Sequence, residues 1–444
     1  MMRVSLIMSR KYLIGILLCL GFVQPGLAQT TDNHSGRRID LMECIETALD
    51  ANFSLRIAHT QVEMAKNNVS LAPFLPTLSA TARQSQTLNN NELRYADGSR
   101  EQTEPRTDAY SLGATLSWRL FDGLAMFTSY DRQKELLASG ELDFKAKVED
   151  LVSQVSSQYY TIITIQHQVG LLQQLLETSR LRYEQALLKH SIGTISGVES
   201  QQARVYFNAD SSSLMIRKED LSNAYITLYK MLNIPLDSKL NVQDTIIPNT
   251  DLNYDMLRES ALRENTSLQL MRQGRVLAEH DFKLSRAARY PKLDFSTTYN
   301  LSQNNTPQSN LTRTDTKGFN WGFTFSVPIF SGFSLQRQVK NARLEVDRVD
   351  LQVQQAEQNL LGTLLQSFNT YTNNVQMIDF ETVNAEAAYA NMDAAVEMYR
   401  LGEIAGIEFR DIQISYLNAV DRKLRAIYQA KLSEISLLLL AGSL

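Results

Sequence analysis

The sequence predicts a mostly α protein with some β, built as two internal repeats in which long coiled-coil helices continue into membrane-spanning strands. Three observations carry this. First, the chain runs without a proline from Phe330 to Glu408, and Leu335, Val339, Ala342, Val346, Val349, Val353, Ala356 and Leu360 recur at spacings of four and three. That is the a/d seam of a coiled coil. An unbroken helix over this stretch would span roughly 100 Å, longer than an ordinary globular domain holds. Second, the stretch occurs twice. An offset of 209 carries Phe330-Ser331-Gly332 onto Phe121-Asp122-Gly123, and carries the stretch from Gly402 to Glu408 onto that from Gly193 to Glu199. Val148, Val155, Ile162, Val169, Leu176 and Tyr183 form the first copy's seam. Third, each seam is preceded by short, alternating, aromatic-rich segments, and a repeat of this kind fixes the architecture.

Residues 1–28 read as a secretory signal. Arg3, Arg10 and Lys11 supply a basic start, Leu13 to Val23 is an apolar run too short to span a bilayer, and Ala28 ends a small-residue cleavage site. Leu18 stands ahead of Cys19 where a lipoprotein signal wants a small residue, which argues against a lipid anchor. Removing the three basic residues takes the formal charge from −4 to −7, and no basic tract points to nucleic acid. Cys44 is then the single remaining cysteine, so packing or assembly, not a disulfide, must hold an exported chain together. Beyond the signal no apolar run reaches 18 residues, so any membrane crossing must be made by strands.

The first repeat is read as 29–234, an inter-repeat linker as 235–251, and the second repeat as 252–444. Residues 40–72 read as helical, with Asp40 as N-cap, and 255–288 is the counterpart. Ala261 to Leu268 echoes Ala48 to Leu55 at an offset of 213. Both helices are expected to end before proline, at Pro73 and Pro291. Strands follow. Tyr110, Leu112, Ala114, Leu116, Trp118 and Leu120 alternate with small or polar residues, as do Phe319, Trp321, Phe323, Phe325, Val327 and Ile329. Leu293 to Leu301, and more faintly Leu78 to Ala82, form their partners. Period two gives one apolar and one polar face, and with long polar connections (89–108 and 303–317) it matches an outer-membrane barrel. Four strands cannot close a barrel, and open edges are not tolerated in lipid, so the strands must be shared between chains. A second helix returns from each glycine turn, over 196–233 and 406–440.

This duplicated order resembles the TolC-like outer-membrane efflux proteins, over essentially the whole chain beyond the signal. The local signatures are Phe121-Asp122-Gly123 and Phe330-Ser331-Gly332, where a strand hands over to the long helix. The others are Ile192-Gly193 with Val198, and Tyr399-Arg400-Leu401-Gly402 with Ile407. The resemblance implies a homotrimer whose twelve strands form one transmembrane β-barrel, continuous with a periplasmic α-helical barrel. It places 235–251 in an equatorial band outside that tunnel. It also implies a passive exit duct for efflux or type I secretion, docked to a periplasmic adaptor and through it to an inner-membrane pump of RND or ABC type. Gly193, Thr194, Ile195, Gly402, Glu403 and Ile404 are the adaptor-facing tips under this reading. Family members carry an aspartate nine residues before the tip glycine, which points to Asp393. With Glu397 one turn on and Glu184 at the matching place in the first repeat, it would form a carboxylate ring that narrows the tunnel and selects cations.

No catalytic chemistry is legible, and no cofactor is expected. The five histidines are never spaced to share a helical metal site, and there is no nucleophile elbow or phosphate loop. The 13 methionines are scattered as core filling rather than clustered as metal ligands. A periplasmic structural or adaptor coiled coil is the competing reading. It would not need the aromatic strands, and an adaptor would carry a β-rich lipoyl-like module that the sequence lacks.

Overall fold

A computed structural model describes residues 37–103, 106–242, 244–307 and 311–444. The expected signal segment, 1–28, lies outside them. The first half runs β1 (Arg37–Ile39), α1 (Leu41–Ala51), α2 (Phe53–Asn68), a 3-10 turn (Ala72–Phe74), β2 (Thr77–Leu88), β3 (Asn91–Arg94), β4 (Arg100–Thr103), β5 (Arg106–Phe121), α3 (Ala125–Ser191) and α4 (Gly197–Leu232). After β6 (Leu240–Val242) come α5 (Tyr254–Glu264), α6 (Thr266–Ala287), β7 (Lys292–Asn305), β8 (Arg313–Ser326), α7 (Ser334–Leu401) and α8 (Gly406–Ala441). The long helices α3 and α7 have 67 and 68 residues, and both return helices have 36. Each seam residue named above is buried or half-buried, so the heptad stripe is the face on which neighbouring helices pack.

The single helices expected over 40–72 and 255–288 are each broken in two, at Asn52 and Asn265. The break has one cause in both places. The Asn52 carboxamide accepts from the Ser54 amide at 2.8 Å and the Asn265 carboxamide from the Leu268 amide at 2.9 Å, so each asparagine starts a new helix. Each also donates through Nδ2 to a carbonyl near the end of a return helix, Met231 at 2.9 Å and Leu440 at 3.0 Å. The second helices then stop before the prolines, α2 at Asn68 and α6 at Ala287. Asp40 is the N-cap of α1, accepting from Glu43 N–H at 2.8 Å.

The linker carries structure. Its β6 pairs in parallel with β1, and the amides of Leu240 and Val242 on its other edge donate to the hydroxyls of Tyr229 and Tyr225. Burial raises both of these phenols above their ordinary range. Asn249 is pinned by its amide to Glu434 at 2.8 Å and by its carbonyl to the Tyr371 hydroxyl at 2.6 Å. Around this level lie two cores. One joins Cys44, Val155, Tyr159, Ile162 and Leu228; the other joins Leu257, Ala261, Leu364 and Leu437.

The long strands form one antiparallel sheet in the order β2-β5-β7-β8. The polar connections are shorter than expected, because β7 and β8 extend to Asn305 and Arg313, and the first connection holds its own small hairpin, β3-β4. Residues paired across antiparallel strands share a face. One face carries Leu78, Leu116, Thr297 and Trp321 in a row, Ala80, Ala114, Tyr299 and Phe319 in the next, and Trp118, Phe295 and Phe323 in another. Phe319, Trp321, Phe323 and Phe325 are all exposed, at 60–68 %. The opposite face is polar and includes the Arg119–Asp294 pair at 2.9 Å.

Cys44 is fully buried, and that burial, helped by the nearby charges of Glu43 and Asp40, pushes its thiol up to about 12 from an ordinary 9.0. Folding therefore holds the thiol neutral. The associated stability is complete below pH 9.0 and drains away as pH rises toward 12. At pH 8 the native protein should leave the Cys44 peptide unlabelled by maleimide, and guanidinium unfolding should expose it fully. Equal labelling rates in both states would contradict the packing around α1.

Candidate functional site

Strand gives way to long helix through two consecutive left-handed residues. Gly123 (φ 73°) and Leu124 (φ 71°) make the first turn; Gly332 (φ 57°) and Phe333 (φ 60°) make the second. Only the first is sterically closed, since a Cβ on Gly123 would lie 2.6 Å from Tyr290 Cβ and 2.7 Å from the Ala287 carbonyl. Asp122 is buried and accepts from Met126 N–H at 3.1 Å, whereas Ser331 reaches the Leu335 amide only at 3.5 Å. Phe121 and Phe330 both remain exposed beside these turns.

The far ends of the long helices are closed by the same device. Gly193 (φ 77°) and Gly402 (φ 81°) reverse the chain, with Thr194 N–H donating to the Lys189 carbonyl and Glu403 N–H to the Met398 carbonyl, each at 2.9 Å. These six-residue closures satisfy carbonyls that a helix end leaves open. Ser196 then caps α4 by accepting from Glu199 N–H at 3.2 Å. Thr194 and Glu403 are exposed, and Ile195 and Ile404 half-exposed. Around them Ile192, Val198, Leu401 and Ile407 stand 65–79 % exposed. The two tips thus present small apolar surfaces with no covering partner among the described residues.

Behind the tips the two halves are tied by buried polar contacts. Arg182 of α3 donates to the Gly406 carbonyl at 2.8 Å and lies over the rings of Tyr399 (5.3 Å) and Phe409 (5.0 Å). Deeper in, Arg410 of α8 holds Asp210 of α4 through two hydrogen bonds of 2.6 and 2.8 Å. The Ser179 hydroxyl also donates to Asp210, and Arg410 donates to Gln413 Oε1 at 3.0 Å. All four residues are buried. The sequence gives little sign of this cluster, because its members sit on three helices and charged residues on a long helix ordinarily face water.

The expected ring carboxylates are all exposed. Asp393 has no ion-pair partner among the described residues. Glu397 is held by Arg400 at 3.0 Å and Glu184 by Arg180 at 3.8 Å, so part of their charge is offset within one protomer. No hydrogen bond or ion pair joins the three. Glu408 and Asp411, one turn apart at the start of α8, are also exposed and unpaired among the described residues, and sequence reading passed over them.

Removing one partner of a buried pair strands the other charge. Arg410→Ala or Asp210→Ala should each cost about 3–5 kcal/mol, read as a lowered thermal midpoint. Arg410→Met combined with Asp210→Leu should recover most of that loss. Singles that unfold like the parent would show the pair to be solvated.

The family model described as "Outer membrane efflux protein" matches residues 44–233 and 257–443. Outer membrane protein TolC of Escherichia coli (strain K12) is 20 % identical over 417 residues, covering 91 % of this chain and 82 % of the relative. Proteases secretion protein PrtF of Dickeya chrysanthemi is 22 % identical, covering 87 % and 84 %. The crystal structure of the Campylobacter jejuni CmeC outer membrane channel superposes with a TM-score of 0.75 at 16 % identity, covering 91 % of this chain and 85 % of that one. With both halves matched across two long helices, two tips and one four-stranded sheet, the chain belongs to the outer membrane efflux protein family.

Proposed function

We propose that the chain is the outer-membrane exit duct of a tripartite efflux or type I secretion system. Three copies would join their four-stranded sheets into one twelve-stranded barrel, with α3, α4, α7 and α8 forming the wall of a periplasmic tunnel. The observation that carries this is the sheet. It has an exposed aromatic face, a polar face, and a pairing strand on only one side of β2 and of β8 among the described residues. In water such a sheet would aggregate; in lipid its apolar face is solvated and its edges must pair. No helix among the described residues is long and apolar enough to cross a membrane; in this reading the exposed aromatic face of the sheet makes the strands the crossing element. The relatives' names, an outer membrane protein and a protease secretion protein, fit the same role.

In this reading the exposed apolar tips at Gly193–Ile195 and Gly402–Ile404 meet the helical hairpin of a periplasmic adaptor, which connects the duct to an inner-membrane pump. Asp393, with Glu397 and Glu184, supplies the carboxylates at the tunnel's narrow end. Asp393 is the strongest of the three because no cation pairs with it among the described residues, whereas Glu397 and Glu184 have Arg400 and Arg180. Transport is passive in the duct and driven by the pump.

Detergent-purified protein in a planar bilayer should give cation-selective openings, and Asp393→Asn should weaken both the selectivity and the block by divalent cations. Openings with unchanged selectivity would remove Asp393 from the constriction. Protein that stays in solution without detergent and never conducts would refute the duct. Cysteines at Thr194 and Glu403 should cross-link to the adaptor in intact cells, while a cysteine at Gln354, in the third of α7 nearest the sheet, should not.

A further inference from the structure

The outward face of the sheet changes character over two rows. Ala82, Leu112, Leu301 and Lys317 pair across the four strands, and the next row away from the helices is Gln84, Tyr110, Gln303 and Asp315. Arg313 follows on the same face, paired with Asn305. Between Phe325 and Lys317 the apolar band runs about 27 Å along the strands, or about 20 Å in height at an ordinary barrel tilt. That is close to the hydrocarbon band of an outer-membrane barrel. Lys317 therefore stands at its upper border, where hydrocarbon meets headgroup.

A cleft of about 730 Å³ opens there. Its floor is apolar, made by Ala82, Leu112 and Leu301, and its rim is polar and basic, with Lys317 and Arg313. Arg313 is partly committed, to Asp315 at 2.9 Å and to Gln303 Oε1 at 3.2 Å. The Lys317 ammonium has no partner among the described residues and is exposed. With Arg83 also in the lining, three cations stand against the single carboxylate of Asp315 and leave the cleft with a net positive charge. An apolar floor under a cationic rim has the chemistry of an amphiphile with an anionic head.

We propose that this cleft binds a phosphate-bearing lipid of the outer leaflet, with acyl chains over Ala82, Leu112 and Leu301 and its phosphate on Lys317 and Arg313. The inference rests on the membrane reading above. Lysine at this height keeps its stem along apolar surface and lifts its ammonium to the headgroups, where a phosphate supplies acceptors for its three donors. One such site per chain would place three around the barrel.

The test uses the full-length protein delipidated in non-ionic detergent, with lipid A, dephosphorylated lipid A and inorganic phosphate as probes, and binding read by native mass spectrometry. Wild type should prefer lipid A to the dephosphorylated form. Lys317→Gln should weaken lipid A binding about fivefold and leave the dephosphorylated lipid unchanged. Lys317→Arg should restore it, and millimolar inorganic phosphate should not displace it. Equal affinity of wild type and Lys317→Gln for lipid A would overturn the site, as would ready displacement by inorganic phosphate. Both results would leave the duct standing if the protein still requires detergent. Protein that stays in water without detergent would instead fail the membrane reading itself.

Discussion

The rest of this structure depends on the hydrogen bonding of four strands. A strand in hydrocarbon has no water to satisfy its amides and carbonyls, and each unpaired group costs several kcal/mol. Inside the sheet every strand meets this demand through its neighbours, but β2 and β8 keep one bare edge each. Nothing else among the described residues covers those edges. In the proposed duct the aromatic face sits in lipid, where a sheet with two bare edges could not remain single. Under that proposal backbone chemistry demands association before any side chain at an interface is considered.

A second constraint is the junction between the sheet and helices of 67 and 68 residues. Two left-handed residues in succession redirect the chain within one turn, and one of each pair, Leu124 or Phe333, is not glycine. Such backbone costs of order 1 kcal/mol or more at each site and persists only where the surroundings hold it. The first turn is held tightly, with Gly123 against α6 and Asp122 capping the helix; the second has open space around Gly332. The two junctions are therefore unequal in stiffness although their sequence signatures match.

Much of this was legible in the residues. The heptad seams, the alternating strands and the glycine turns each follow from a period or a dihedral that only certain residues satisfy, and the two halves reinforce one another. The breaks at Asn52 and Asn265 were not foreseen, because a mid-helix asparagine is tolerated unless its carboxamide has something to hold. Here it holds a carbonyl of a distant return helix. The β1–β6 pairing was hidden for a similar reason, each strand being three residues long. The Arg410–Asp210 contact was invisible because its members lie 200 positions apart and look like solvated charges. Glu408 and Asp411 carry no comparable signal, because the family resemblance singles out a carboxylate ahead of the tip and these stand just after it. Contacts set by assembly in space leave little trace in local composition, whereas periodic packing writes itself along the chain.

The two asparagine contacts have a mechanical consequence. They fasten return helices to the rest of the protomer at the level of the two cores, and from there to the tips the long helices run unbroken. From Ile163 to Ser191 that free arm is about 40 Å long. A rod clamped at one end turns angle into travel, so a tilt of about 5° at the clamp would carry the tip about 3–4 Å sideways. Ser179, Asp210 and Arg410 sit partway along this arm and tie its members together. Any small rotation near the cores would thus be amplified at the tips, and the buried ion pair joins the rods partway along.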